Sequence, residues 1–312
     1  MSISKNLFIL SLAIFSLVMV LSYDLGTVTP CLSSNKQQSP IEINSGEAKY
    51  REERYFRILS SNYTHFNTSW VTFNDEKTIG FQGNEMGYVL FLKNWAMYKF
   101  NLEKVYFRYG SSHSIDGMTY DVEMELVHTL DSTYRTPGRY IHPTAEYLII
   151  STFFVVKANE REDPISLFFE KVNLATFANN YESNNVYFKE HLKMNQVVTN
   201  NPGYFYEGTT TSGYCENAWR LILPKFQLMS EEELSQLKLV LVSKGFINEN
   251  DPNSHNYRTI QPLNSGAEVY KGSEDSTRLL IAANTNQYSS TTFDLISKKV
   301  LFLVLGFLLL FN

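Results

Sequence analysis

The pattern of hydrophobic and polar positions predicts a chain built mainly from β-strands. Seven runs are rich in aromatic and β-branched residues, which favour the pleated, half-buried surface of a sheet. These runs are Tyr55–Leu59, Trp70–Phe73, Val89–Leu92, Val105–Tyr109, Tyr120–Val127, Tyr147–Val156 and Trp219–Leu223. Together they indicate a predominantly β protein in which helices are peripheral.

Helical patterns are fewer. Ser230 is followed three residues later by Glu233, which is the spacing of a capping box, and leucines at helical spacing come after it. A second helix is predicted over Ile165–Phe177. No repeat or Pro/Gly-rich linker interrupts the chain, so one domain is expected over residues 23–285. Its expected fold class is mainly β (α+β), with one large, twisted, mostly antiparallel sheet and short peripheral helices.

The N-terminal residues have the pattern of a secretory signal peptide. Lys5 precedes the apolar run Leu7–Leu21, and the small residue Ser22 follows it. A basic start, a short apolar core and a small residue are typical of a signal that is removed after Ser22. Residues 1–22 are therefore predicted to be cleaved, the alternative being a signal anchor that stays in the membrane.

The C-terminal residues predict a lipid anchor. The apolar run Val300–Phe311 is shorter than the ~20 residues that a spanning helix needs. A polar spacer precedes this tail, and the small residues Ser289 and Ser290 precede the spacer. Small residues, spacer and apolar tail form a glycosylphosphatidylinositol (GPI) attachment signal. Residues 286–312 are predicted to be this signal, with attachment at Ser289 or Ser290; a secreted form or a short transmembrane tail is the alternative.

Composition narrows the class of protein. The chain has 312 residues, of which 44% are hydrophobic and 19% charged, so a sizeable core is expected rather than disorder. Its formal net charge of −5 disfavours a nucleic-acid-binding domain, because phosphate recognition needs a basic face. The protein is thus expected to be acidic and to bind no nucleic acid.

The cysteines and sequons agree with an extracellular location. Cys31 and Cys215 are the two cysteines of the chain, and in an oxidising compartment they are predicted to form one disulfide. Two buried unpaired thiols are the alternative. Asn62 and Asn67 both begin glycosylation sequons, which predicts that they lie in surface segments of a glycoprotein.

Five segments, in order, resemble the α-class carbonic anhydrases. They are QSPIEI at 38–43, YGSSHSID at 109–116, EMELVH at 123–128, GTTTSGYC at 208–215 and NYRTIQPLN at 256–264. The resemblance implies that family's fold, with a sheet of about ten strands. It also implies that Cys31 and Cys215 are bonded, as their equivalents are in secreted members of the family.

The zinc site that the resemblance implies is altered. The family holds zinc with two histidines at alternate positions of one strand and a third on the next strand. Those positions are Tyr106, Arg108 and Glu125 here. An arginine repels a dication and does not deprotonate, so we expect no bound zinc and no catalytic residues. Arg108 and Glu125 are expected to form a partly buried pair, with Glu123 as a further partner; the alternative is an Arg108 that extends into solvent.

The resemblance assigns the residual pocket to three residues. Ser112 stands where the family has the glutamate that orients a threonine, Thr211 matches that threonine, and Glu123 matches the glutamate that positions the third histidine. His113 and His128 match histidines that are structural in the family. The pocket is therefore expected to keep part of its surroundings without its ligands.

Two classes of function follow. The first is a catalytically inactive carbonic anhydrase-like protein, lipid-anchored on the cell surface, that serves as a binding, adhesion or coat module for an extracellular protein or glycan. The second is an enzyme, either a carbonic anhydrase with a non-standard metal site or another lyase or hydrolase in the same pocket. Metal content discriminates between them.

Overall fold

The computed structural model describes residues 37–51, 56–63, 67–135, 143–157, 185–187, 198, 203–211, 215–251 and 253–272. Several predicted features lie outside these residues: the signal peptide, Cys31, the helix over Ile165–Phe177, and the C-terminal anchor signal with Ser289 and Ser290. The sites on these segments stay predictions.

The described residues form fifteen strands, numbered in chain order. They are β1 Glu42–Ile43, β2 Lys49–Tyr50, β3 Phe56–Asn62, β4 Asn67–Phe73, β5 Thr78–Asn84, β6 Tyr88–Lys93, β7 Ala96–Tyr109, β8 Ser114–Ile115, β9 Val122–Leu130, β10 Tyr147–Val156, β11 Asn185–Tyr187, β12 Tyr204–Thr209, β13 Asn217–Ile222, β14 Gln227–Met229 and β15 Tyr270–Lys271. All seven predicted runs coincide with strands, so the mainly β fold class is confirmed.

Thirteen of the strands belong to one mixed sheet, where about ten were expected. Its main order is β11–β4–β5–β7–β9–β10–β13–β12–β15–β2, with β6 joining β3 to β7 and with β14 beside β10. Most pairs are antiparallel, whereas β10 runs parallel to β13 and β14, and β15 runs parallel to β2. Strands β1 and β8 form a separate parallel pair.

The centre of the sheet is buried on both faces. All nine residues of β9 are buried. Alternate residues of a strand point to opposite faces, so Val105 and Phe107 of β7 enter the main hydrophobic core while Tyr106 and Arg108 face the other side. Charged side chains on that second face must therefore be satisfied inside the protein.

The helix Glu231–Ser243, here α1, begins at the predicted capping box. Ser230 Oγ accepts a hydrogen bond from the Glu233 amide at 3.3 Å, and the Ser230 amide donates to Glu233 Oε2 at 2.8 Å. Leu237, Val240 and Leu241 bury one side of the helix in the main core. Within the part of the chain that the structure describes, no helix has the length and apolar character needed to cross a membrane.

Strand β5 was not predicted, because its sequence TIGFQGN lacks a run of β-branched and aromatic residues. One of its two glycines, Gly80, is required by close packing. A Cβ at Gly80 would lie 1.7 Å from the carbonyl oxygen of Val105, so a side chain here would push β5 away from β7. This close approach places the turn before β5, which contains Glu76, next to the polar end of β7.

Candidate functional site

Tyr106, Arg108 and Glu125 lie on one face of the sheet. Tyr106 of β7 is paired in register with Glu125 of β9, and Arg108 is paired with Glu123. Residues directly opposite each other in an antiparallel pair project to the same side. The structure therefore brings together the three positions that the sequence analysis singled out.

The guanidinium of Arg108 is enclosed. Arg108 is 0% exposed, and its Nε and Nη2 donate to Glu125 Oε2 at 3.3 and 3.2 Å. Nη2 also forms a hydrogen-bonded ion pair with the carboxylate of Glu76, and Nη1 donates to the Glu76 carbonyl oxygen at 2.6 Å. Further bonds reach the Asn256 carbonyl oxygen and Thr211 Oγ1, each at 3.3 Å. Arg108 is thus fully buried rather than partly buried, and the alternative in which it extends into solvent is wrong.

A second buried arginine completes the cluster. Arg220 of β13 is 0% exposed, and its Nη1 donates to Glu125 Oε1 at 2.5 Å. Its Nε and Nη2 donate to the carbonyl oxygen of Thr209 at 3.0 and 2.9 Å. One oxygen of Glu125 is therefore bonded to Arg108 and the other to Arg220, so this carboxylate bridges two guanidinium groups.

The four charges balance, and attraction to the carboxylates keeps the two arginines ionised. Burial alone lowers the pKa of Arg108, but the adjacent carboxylates of Glu76 and Glu125 outweigh burial and raise the pKa above its ordinary value. The pKa of Arg220 is likewise raised, because attraction to Glu125 exceeds the effect of burial. Two arginines and two glutamates thus form a neutral cluster, called here the buried ion cluster, made of Glu76, Arg108, Glu125 and Arg220.

Tyr106 closes one side of the cluster as a neutral phenol. Its ring lies edge-on to Phe73, with the centroids 4.7 Å apart, and the Arg108 guanidinium carbon lies 5.5 Å from its centroid. Burial, followed by the negative charge of Glu76, raises the pKa of Tyr106 well above the usual range. A phenol whose pKa is raised in this way keeps its proton and is a poor metal ligand or base.

Glu123 belongs to a different network, so the expectation that it would pair with Arg108 is wrong. Its Oε1 lies 2.7 Å from His113 Nδ1, and its Oε2 accepts from the His113 amide at 2.9 Å. Burial alone would raise the pKa of Glu123, but attraction to His113 and the hydrogen bonds from it lower the pKa to about 2. His113 Nε2 lies 2.8 Å from the Tyr206 hydroxyl, which donates to Ser39 Oγ at 2.9 Å.

The other two residues of the predicted residual pocket differ in their contacts. Thr211 Oγ1 donates to Glu76 Oε2 at 3.2 Å and is thus part of the surroundings of the buried ion cluster. Ser112 is buried, and its hydroxyl has no hydrogen-bond partner among the described residues. Cys215, close to Thr211 in the chain, is buried and disulfide-bonded. Its predicted partner Cys31 lies outside the described residues.

The two predicted glycosylation sites lie at the end of one strand and at the start of the next strand along the chain. Asn62 is the last residue of β3 and is half-buried. Asn67 is the first residue of β4. Glycosylation of either asparagine stays a prediction.

Sequence reasoning missed Glu76 and Arg220. Arg220 carries a usable signal, since a charged residue between Trp219 and Leu221 in an apolar strand indicates a buried and paired charge. Glu76 lies in the turn NDEK, where acidic residues are ordinarily solvated, so its sequence context carries no such signal.

The cluster has few groups left for chemistry or metal binding. In the described ranges, no group of three or more His, Cys, Asp or Glu side chains is arranged to hold a metal ion. The carboxylate oxygens of Glu125 are engaged by arginines, and an arginine has no lone pair to offer a metal. The arrangement is that of a buried, charge-neutral ion cluster.

A comparison with family models decides the family. The model described as eukaryotic-type carbonic anhydrase matches residues 27–271, which is most of the chain. The chain belongs to the carbonic anhydrase family. The matched residues lie within the predicted domain 23–285, and the resemblance inferred from the five sequence segments is confirmed at the level of the family.

Solved structures agree on the carbonic anhydrase fold. An α-carbonic anhydrase from Thermovibrio ammonificans, in complex with the inhibitor sulfanilamide, is 20% identical with a TM-score of 0.55; the match covers 76% of this chain and 88% of that one. Dioscorin complexed with ascorbate is 19% identical with a TM-score of 0.53, covering 76% of this chain and 86% of its own. At such identities the likeness establishes the fold alone.

Proposed function

We propose that this carbonic anhydrase-family domain does not hydrate carbon dioxide and serves as a binding module on the outer face of a cell membrane. The observation that supports the loss of catalysis is the fully buried Arg108, which is ion-paired to Glu76 and Glu125. Arg108 occupies a position that the resemblance assigns to a zinc-binding histidine.

The residues at this site do not fit a zinc ion. Zinc needs ligands with available lone pairs, such as neutral imidazole, thiolate or carboxylate. Arg108 supplies only N–H donors, and Tyr106 is held as a neutral phenol. A zinc ion would also have to displace Arg108 and Arg220 from Glu125, which would leave two buried guanidinium groups without that partner.

Metal content and hydratase activity test the proposal together. We expect the purified protein to contain less than one zinc per chain and to hydrate carbon dioxide no faster than buffer, with no effect of a sulfonamide. The measurements are inductively coupled plasma mass spectrometry and stopped-flow hydration. A sample incubated with excess zinc and then desalted is the control for metal lost in purification. One zinc per chain with sulfonamide-sensitive hydration would contradict the proposal and favour the enzyme class.

The proposed surface location rests on the terminal sequences, and phospholipase release tests it. The twelve apolar residues of Val300–Phe311 are too few to anchor the chain as a spanning helix. We therefore expect phosphatidylinositol-specific phospholipase C to release the mature protein from the surface of expressing cells. A variant that lacks residues 300–312 should instead appear in the medium without phospholipase. Detection of the Phe311 peptide in the mature surface protein by mass spectrometry would show that the tail is retained.

Within this proposal, the module recognises an extracellular protein or glycan and no nucleic acid. The net charge of −5 supports the exclusion of nucleic acid, since phosphate backbones attract basic faces.

A further inference from the structure

A wide surface groove lies away from the buried ion cluster. Its volume is about 1000 Å³. It is lined by β1, the turn after it and the start of β2, and by residues of the segment 260–269. Asp116 and Gly117 also line it. A cavity of this volume is large enough to take several side chains of a bound segment.

The groove combines apolar surface with negative charge. Ile260 and Leu263 are 41% and 46% exposed and line the groove together with Pro262. Four carboxylates also line it, against one ammonium group: Glu42, Glu47, Asp116 and Glu268, with Lys49. Exposed apolar side chains beside charged ones are typical of interaction surfaces. The excess of carboxylates specifies a cationic occupant.

The walls are held in place by hydrogen bonds. The Gln261 amide donates to the Pro40 carbonyl oxygen at 2.8 Å, and the Lys49 amide donates to the Val269 carbonyl oxygen at 2.9 Å. The Ser45 amide and hydroxyl donate to the Asp116 carboxylate at 2.7 and 2.6 Å, and these bonds lower the pKa of Asp116. These bonds fix the lining of the groove within the chain itself, so binding costs little reorganisation.

The spacing of the charges distinguishes between cationic occupants. Among the residues that the structure describes, no three acidic side chains of the groove converge on a point that would hold a metal ion. Lys49 is paired with Glu268, and Asp116 is attracted by Lys271 as well as bonded to Ser45, so the uncompensated negative charge of the groove is carried mainly by Glu42 and Glu47, with Asp116 further along it. Charges distributed over apolar surface match an extended chain with several cationic side chains better than a single ion.

We propose that this groove binds a basic segment of a partner protein, in which lysine or arginine side chains alternate with apolar ones. The cationic side chains pair with Glu42, Glu47 and Asp116, and the apolar ones contact Ile260 and Leu263. This inference gives a partner class to the proposed binding module and rests on that proposal only for its biological setting.

Synthetic peptides of equal length test the groove. The probes are a fluorescent peptide that alternates lysine and valine, one that alternates glutamate and valine, and one that alternates lysine and serine. Fluorescence anisotropy with the mature protein released from cells should show saturable binding of the lysine–valine peptide. The glutamate–valine peptide should not bind, and the lysine–serine peptide should bind several-fold more weakly. Added salt should weaken binding, because the groove is open to solvent and its charges are screened.

Matched variants locate the site. Glu47→Lys should weaken binding of the lysine–valine peptide about tenfold, since it reverses one charge in the groove. Glu249→Lys makes the same change of charge at an exposed residue outside the groove and should leave affinity within about twofold. Leu263→Ser should also weaken binding without any change of charge.

Three results would each overturn the inference. They are no saturable binding of the lysine–valine peptide, equal binding of the lysine–serine peptide, and equal effects of Glu47→Lys and Glu249→Lys. Zinc content and hydration of carbon dioxide do not enter this test. If the protein binds neither zinc nor peptide, the result contradicts only the proposal for the groove and leaves the non-catalytic proposal in place.

Discussion

Glu125→Gln should lower the free energy of unfolding by about 3–5 kcal/mol, because it removes a carboxylate that pairs with two buried arginines. Among the described residues, Glu125 carries the only negative charge that Arg220 contacts and one of the two that Arg108 contacts. The side chain keeps its shape, so the loss reflects charge rather than a cavity. Urea denaturation followed by tryptophan fluorescence measures the change. Glu146→Gln, the same substitution at an exposed position, should change stability by less than about 0.5 kcal/mol.

A double variant separates the ion cluster from general damage to the fold. Among the described residues, Glu125→Leu alone leaves the buried Arg220 with only the Thr209 carbonyl oxygen as a hydrogen-bond partner. Glu125→Leu combined with Arg220→Met removes both charges, while Arg108 keeps Glu76. The double variant should recover more than half of the stability lost in Glu125→Leu, since apolar pairs replace buried ion pairs at little cost. A double variant as unstable as Glu125→Leu would show that the ion pair does not explain the loss.

His128 should make the protein less stable as the pH falls from 6.5 to 4. His128 is fully buried; its Nδ1 lies 3.1 Å from the carbonyl oxygens of Leu126 and Leu148, and its Nε2 lies 2.8 Å from the Tyr63 hydroxyl. Carbonyl oxygens only accept, so Nδ1 carries the proton and Nε2 accepts from Tyr63. Burial lowers the pKa of this neutral imidazole from 6.5 to about 4.

The direction of this pH dependence follows from whether the folded or the unfolded chain binds the proton. Above pH 6.5 His128 is neutral in both the folded and the unfolded chain, and its contribution to stability is fully present. Between pH 6.5 and 4 the unfolded chain binds a proton that the folded protein does not, so stability falls by roughly 3 kcal/mol in total.

Urea denaturation at several pH values tests this dependence. His128→Gln should flatten the loss of stability between pH 6.5 and 4, whatever it costs at neutral pH, because glutamine does not titrate in that window. Tyr63→Phe should keep the dependence, since burial rather than the tyrosine hydroxyl lowers the pKa of His128. An unchanged slope in His128→Gln would contradict the assignment.

The sheet was more predictable from the sequence than the site. Strands such as β9 and β10 are buried runs of apolar and β-branched residues, and the pattern alone identifies them. The five family-like segments then indicated which residues face each other, including Tyr106, Arg108 and Glu125. Strand β5 was not predicted, because Gly80 is needed for a close approach to Val105, and the local sequence pattern does not indicate that contact.

The predicted pair of Arg108 with Glu125 is confirmed, whereas the other partners of Arg108 come from distant parts of the chain and were harder to predict. Register alone favoured Glu123, which is directly opposite Arg108. His113 competes for Glu123 with both an amide and a ring nitrogen, so Arg108 pairs with Glu76 from a turn that local sequence marks as solvated. The resemblance to a family identifies which positions face the site. Which charged side chains pair with each other there is seen only in the three-dimensional structure.

The linked contacts of the buried ion cluster also limit how this protein can evolve. Arg108 depends on Glu76 and Glu125, and Glu125 in turn joins Arg108 to Arg220. Changing Arg108 alone to histidine would leave an excess of buried negative charge. Among the described residues, changing Glu125 alone would leave Arg220 without a carboxylate partner and Arg108 with Glu76 alone. Each such intermediate would lose about 3–5 kcal/mol from a total stability of about 5–15 kcal/mol. A histidine site at these positions would therefore require several substitutions at once, so it is difficult to reach one mutation at a time.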